Sequence, residues 1–162
     1  MSTNKVSRRN KSLSTVVDEL SRRGYKTVLQ GRANPPVDII FYDPQKTKSV
    51  NLIVRTYNPA KNSCIVGLKV EKFFGDNFFW ILAGIPLCDS SDHTEFYIIP
   101  NRVMAENVSK FHRLWLETPG RFGRVQKDNN VRIVLLSPNN SPYYWDVSSY
   151  RNNWDFIREK FN

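Results

Sequence analysis

The sequence predicts a mixed α/β layer fold: a leading helix, several consecutive strands, a later helix and strand, and a small C-terminal appendage. Three observations predict it. One apolar stripe at helical spacing lies near the start. Between residues 37 and 99, apolar runs of strand length are separated by Gly, Pro, Asn and Asp. Helical spacing returns after Pro100 and again near the C-terminus. With 162 residues, 40% of them hydrophobic and 13% aromatic, the chain has enough apolar surface for one core.

Residues 1–11 carry Lys5, Arg8, Arg9 and Lys11 and no acid, so they read as a flexible basic arm ahead of one domain over 12–162. Leu13, Val16, Val17 and Leu20 then form one helical stripe, and Gly24 suits the left-handed residue that ends a helix. Tyr25 to Gln30 predicts a short strand, followed by a loop through Pro35-Pro36. Val37 to Tyr42 is a buried strand interrupted only by Asp38, and Asp43-Pro44-Gln45-Lys46 is turn material. From Val50 the chain alternates, with Val50, Leu52, Val54 and Thr56 on one face and Asn51, Ile53, Arg55 and Tyr57 on the other. Cys64 to Val70, Phe78 to Leu82 and Glu95 to Ile99 are three further strands, the first two separated by a turn at Gly75-Asp76-Asn77. Arg102 to Val108 predicts a short helix, and the stretch from Trp115 to Asn130, with Pro119, Gly120 and Gly123, an irregular connection. Val131 to Leu136 is a strand, and Trp154 to Phe161 a closing helix.

Composition excludes several classes. The longest apolar run, Phe78 to Cys88, contains Gly84 and Pro86 and falls short of the ~20 residues of a membrane span. The first residues are polar and basic, unlike a secretory signal. Cys64 and Cys88 make no disulfide framework and no C-x-x-C, so a cytoplasmic location with reduced thiols is expected. There is no G-x-G-x-x-G, no G-x-x-x-x-G-K and no G-x-S-x-G. His93-Thr94-Glu95 has the outline of a deaminase H-x-E but lacks the following P-C-x-x-C. His112, between Phe111 and Trp115, is expected to be a packed or hydrogen-bonded imidazole.

Lysine and arginine number 24 against 15 acids, a net charge of +9, which favours a polyanionic partner. One constellation gives that field a chemical context. Asp38 opens a buried strand, and a second strand, Val50 to Thr56, follows after a tight turn. Metal-dependent phosphodiester cleavage uses such a pair of strands: carboxylates on both hold a divalent cation that activates water and polarises the phosphate. A basic residue two positions after the second carboxylate shares its face.

Five segments in order carry a resemblance: Arg23-Gly24-Tyr25, Asn34-Pro35-Pro36-Val37-Asp38-Ile39-Ile40, Leu52-Ile53-Val54-Arg55-Thr56, Phe96-Tyr97-Ile98-Ile99-Pro100 and Asn153-Trp154-Asp155. Over roughly residues 12–157 the chain resembles the restriction-endonuclease-like, or PD-(D/E)XK, superfamily, and within it small bacterial domains of poorly defined function. The resemblance implies that superfamily's core and places Asp38 at the metal-binding position, with Mg²⁺ or Mn²⁺ as the cofactor of an active member. It also exposes departures. Ile53 stands where the family carries Glu or Gln, and Arg55 replaces the lysine. A guanidinium clamps phosphate but does not act as a deprotonated base. The site reads as an eroded nuclease site.

A relocated site would draw on Lys69 and Glu71, placed two apart on the next strand, with Glu19 of the first helix approaching the metal. The plain alternative is that Lys69, Glu71 and Lys72 form a solvated strand edge and that Asp38 accepts loop amides. For nucleic acid, duplex DNA first, the expected contacts are the arm residues Arg8, Arg9 and Lys11, then Arg32, Lys46 and Lys48 near the cleft, and a second cluster of Arg121, Arg124 and Lys127. Tyr143, Tyr144 and Trp145 offer stacking surface, although such rings more often fill cores. The resemblance also makes a homodimer an expected assembly. The rival readings are an active endonuclease with the relocated site and a module that meets an acidic protein partner.

Overall fold

A computed structural model describes residues 2–31, 36–87 and 94–162. Helix α1 (Ser2–Arg22) leads into β1 (Lys26–Leu29), β2 (Ile39–Tyr42), β3 (Ser49–Tyr57), β4 (Ser63–Ile65), β5 (Phe78–Gly84) and β6 (Glu95–Pro100). Helix α2 (Asn101–Glu117), β7 (Ile133–Leu135) and the short α3 (Asp155–Arg158) follow, with brief 3₁₀ turns between them. The class is mixed α/β.

Five strands form one mixed sheet in the order β1-β2-β3-β5-β6. β1, β2 and β3 are an antiparallel meander, β3 and β5 run parallel with Ile53 opposite Trp80, and β6 returns antiparallel to β5. β4 and β7 pair separately as a two-stranded antiparallel ribbon. Because both faces of the large sheet are covered, its interior strand β5 is buried along its whole length.

The alternation in β3 sorts the core into two layers. Val50, Leu52 and Val54 join Ile39, Phe41, Phe79 and Ile81 beneath Val16 and Leu20 of α1 and Trp154 and Ile157. Ile53 and Tyr57 join Trp80, Leu82 and Ile99 on the opposite face, under Met104 and Val108 of α2 and Cys64 and Val134 of the ribbon. Burying such side chains contributes roughly 1.5–3 kcal/mol each, so the two layers fix the strand register. At Gly84 a Cβ would stand 2.8 Å from the Tyr57 hydroxyl oxygen, so the β3–β5 approach at that rung requires glycine.

The structure revises four expectations. Residues 2–11, read as a flexible arm, are the first half of α1. The strand expected over Cys64–Val70 stops at Ile65, because Gly67 takes φ +79° and a 3₁₀ turn covers Leu68–Glu71. The helix expected over Arg102–Val108 continues to Glu117, leaving the connection after it as the irregular part. The C-terminal appendage is integral to the fold. It crosses β6 at a Tyr97–Arg151 bridge and supplies Trp145 and Val147 to one layer and Trp154 and Ile157 to the other. Among the described residues no helix is long and apolar enough to cross a membrane.

Candidate functional site

The Asp38 corner is where β2 begins beside the middle of β3. The Asp38 backbone N–H bonds to the Leu52 carbonyl at 2.9 Å, which continues the β2–β3 ladder by one residue. Its carboxylate is engaged on both oxygens: Val54 N–H donates to Oδ2 at 2.8 Å, and Arg9 Nη2 of α1 donates to Oδ1. Asp38 therefore accepts a backbone amide, and its second oxygen takes a guanidinium that arrives from the segment read as an arm.

The β3 side chains beside it lie as the alternation predicts. Ile53 is 0% exposed within the core layer under α2. Arg55, two residues on, is partly buried with its guanidinium 5.3 Å from the centre of the Trp80 ring. It donates from Nη1 to the Val54 carbonyl at 3.1 Å and from Nε to the Val66 carbonyl at 3.4 Å. Burial lowers the Arg55 pKa and the nearby Asp38 carboxylate opposes that shift. An arginine loses no proton at physiological pH from such a shift, so this position offers a fixed cation and no base.

Arg8 closes the same end of the sheet. Its Nη2 donates to the carbonyls of Ile85 at 2.7 Å and Tyr57 at 3.3 Å, where the parallel strands β3 and β5 finish. One helical turn on, the Ser12 hydroxyl meets the Thr56 hydroxyl at 2.7 Å. The ends of parallel strands are where open α/β sheets usually take ligands. Here the protein's own first helix lies across them. Lys11 is exposed on the same helix.

The remaining expected site residues do not assemble here. Lys69 is exposed in the 3₁₀ turn, and Glu71 is ion-paired with the buried Arg132, so the two do not share a strand face with Asp38. Glu19 lies about 15 Å farther along α1 than Arg9, at 1.5 Å per residue. It is paired with Arg22 at 3.2 Å and Arg23 at 2.8 Å. Lys46 and Lys48 sit in the β2–β3 turn, roughly 13 Å from Asp38 at 3.3 Å per strand residue. Lys48 Nζ there donates to the carbonyl of Asn162 at 3.2 Å. Arg32 and His93 lie outside the described residues. The donor set at the corner does not fit a divalent cation: one carboxylate, already bonded on both oxygens, with an alkyl and a guanidinium side chain as neighbours. Among the described residues no group of three or more His, Cys, Asp and Glu is gathered as a metal site. Cys64 offers no nucleophile, since burial pushes its thiol up to about 12.

A second region was not anticipated. The last turns of α2, the ribbon strand β7 and the segment near Tyr143 line an open cavity of about 340 Å³, walled by Phe111, His112, Trp115, Val131, Ile133 and Tyr143. As expected from its neighbours, His112 is packed and bonded: its ring stacks on Trp115 with centroids 5.4 Å apart, and Nε2 lies 2.8 Å from Asp128 Oδ1. The His112 hydrogen bond lowers the Asp128 pKa, against an opposing push from desolvation, with Asn129 N–H and Arg132 assisting. Arg132, 3% exposed, ties this cluster together by bonding Glu71, Asp128 and the Asn129 carbonyl. Arg121, Arg124 and Lys127 stand exposed on the connection 118–128, which leaves one wall of the cavity after Trp115 and returns to it at Asn129. Of the three rings expected to stack, Trp145 is buried in the core, Tyr144 bonds Asp146, and Tyr143 lines the cavity. The aromatic spacing Phe111, His112, Trp115 was the available sequence signal for the cavity, masked by the expectation of an irregular stretch from Trp115.

Comparison of the chain with protein-family models, with curated proteins and with solved structures returns no match to any of them.

Proposed function

We propose that this chain is a nucleic-acid-binding protein on a PD-(D/E)XK-like core, with the position of the cleavage site closed by its own first helix. The core reading is supported by α1 followed by the β1–β2–β3 meander and the parallel β5, with Asp38 at the start of β2 and Ile53 and Arg55 on β3. The observation that carries the loss of cleavage is the pairing of Asp38 with Arg9 beside a buried Ile53: a guanidinium occupies the side of the carboxylate where a cation would sit. Binding is supported by the net charge of +9 and by the exposed cations of 118–128. A relocated endonuclease site has less support, because Glu71 is held by Arg132 away from Asp38.

The test is a salt titration of duplex binding together with a plasmid incubation. Binding at low ionic strength is expected, with log affinity falling by roughly 0.9 per log unit of salt for each phosphate neutralised. No nicking is expected with Mg²⁺ or Mn²⁺. Absence of duplex and single-strand binding at low salt overturns the binding reading. Cleavage that disappears in Asp38→Ala overturns the reading of a closed site.

A further inference from the structure

We infer that the cavity between α2 and β7, together with the connection 118–128 that joins two of its walls, is a single-strand nucleic-acid site that seats one base while Phe122 stacks on the next. The inference rests on the proposed nucleic-acid binding and names the form of the ligand and the residues that hold it.

Three independent features converge on this stretch. The first is the cavity. At about 340 Å³ it lies within the size range of small-ligand sites, and Phe111, Trp115 and Tyr143 give it flat apolar walls. Asn129 and Ser141 add an amide and a hydroxyl to the lining, groups that bond the polar edge of a base. His112 is held against Trp115 by Asp128, so that wall is set before a ligand arrives.

The second is Phe122. Its side chain is 99% exposed, and its backbone takes the left-handed φ of +62° that a bulky residue rarely adopts. The turn holding it there is closed by Gly120 N–H to the Arg124 carbonyl at 2.8 Å and Gly123 N–H to the Gly120 carbonyl at 3.0 Å. A large ring is thus presented to water by a backbone tied on both sides of it. Such local strain recurs at functional sites.

The third is charge. Arg121 and Arg124 flank Phe122, and Lys127 follows; all three are exposed and make no ion pair among the described residues. A projecting ring alone would fit a protein partner or a lipid surface. A ring flanked by cations, on a connection that joins the walls of a cavity carrying an amide and a hydroxyl, fits a ligand that alternates flat faces with phosphates. In a duplex the base faces are stacked on each other and closed to both the cavity and Phe122, so the matching form is single-stranded.

The experiment uses the full chain and fluorescence anisotropy at low salt, with a labelled oligo-dT strand, a labelled duplex of equal length and vesicles of anionic phospholipid as probes. The single strand is expected to bind more tightly than the duplex. Phe122→Ala and Trp115→Leu are each expected to weaken it about tenfold while changing duplex affinity little. Free dTMP is expected to quench tryptophan emission in the parent chain and to lose that effect in Trp115→Leu. Since Phe122 is fully exposed, its variant keeps the fold, which leaves the test decisive if Trp115→Leu melts early. Unchanged single-strand affinity in Phe122→Ala, with duplex binding intact, overturns this site and leaves the proposed function standing. Loss of both nucleic acids overturns the two together. Vesicle binding that depends on Phe122 without single-strand binding replaces the ligand with a membrane surface.

Discussion

At the α1 end of the sheet three arginines are tied to the protein's own groups, while after α2 three cations face water. Arg8 bonds the carbonyls that finish β3 and β5, Arg9 holds Asp38, and Arg55 lies over Trp80. Arg121, Arg124 and Lys127 have no such partners among the described residues. Both groups count equally toward the net charge of +9, yet only the second leaves an open electrostatic surface. Charge composition therefore measures a field only after the internal bonds of each cation are known. The corner where Arg9 meets Asp38 and the exposed cations of 118–128 are different places on the molecule.

The strongest way to break this contrast is to place an acid on β3 beside Asp38. Ile53→Glu places a carboxylate in a fully buried position of the core layer, and burial of an unpaired charge belongs to the few mechanisms that cost about 4 kcal/mol or more. A large fall in Tm is expected, with no recovery on adding Mn²⁺. A variant that melts near the parent and is stabilised by Mn²⁺ shows that the corner is an accessible cation site, and the contrast fails.

Arg8→Ala comes next. The Tyr57 carbonyl keeps its bond from Ile85 N–H at 2.9 Å, so the main loss is the partner of the Ile85 carbonyl. An unsatisfied part-buried acceptor costs roughly 1–3 kcal/mol. Arg124→Ala, at an exposed position, is expected to stay within about 0.5 kcal/mol. Urea denaturation of the two variants side by side checks the pair. Equal effects mean that the two groups of cations are not used differently.

How far these regions were legible in the sequence follows from the same physics. The strands were, because alternation in Val50–Tyr57 sorted its side chains to the two faces that the structure shows. The inward role of Arg8 was concealed by its charge. Arg8, Ser12, Val16 and Leu20 form one stripe four residues apart, but its first two members are polar, so the apolar part of that stripe starts about two turns late. Their partners, strand-end carbonyls and Thr56, are tertiary and leave no local trace. The misplacement of Lys69 and Glu71 turned on Gly67, whose positive φ ends the strand before those residues are reached. The cavity escaped because its walls come from α2, the ribbon and the Tyr143 segment, which only the packed chain brings together.

The smallest expected effect belongs to Arg9→Ala, and it separates two meanings of a closed corner. Arg9 is 53% exposed, so its pair with Asp38 is screened by solvent and its loss is expected to cost less than about 1 kcal/mol. The freed carboxylate would still have the fixed cation of Arg55 nearby, and β3 offers only a buried alkyl group at Ile53 where a divalent ion needs further oxygens. Titration with Mn²⁺ followed by electron paramagnetic resonance is accordingly expected to show no tight binding in either the parent or the variant. Tight binding in the variant alone makes Arg9 a removable lock on an intact site. The absence of cation binding in the parent would then belong to the helix and not to the β3 side chains.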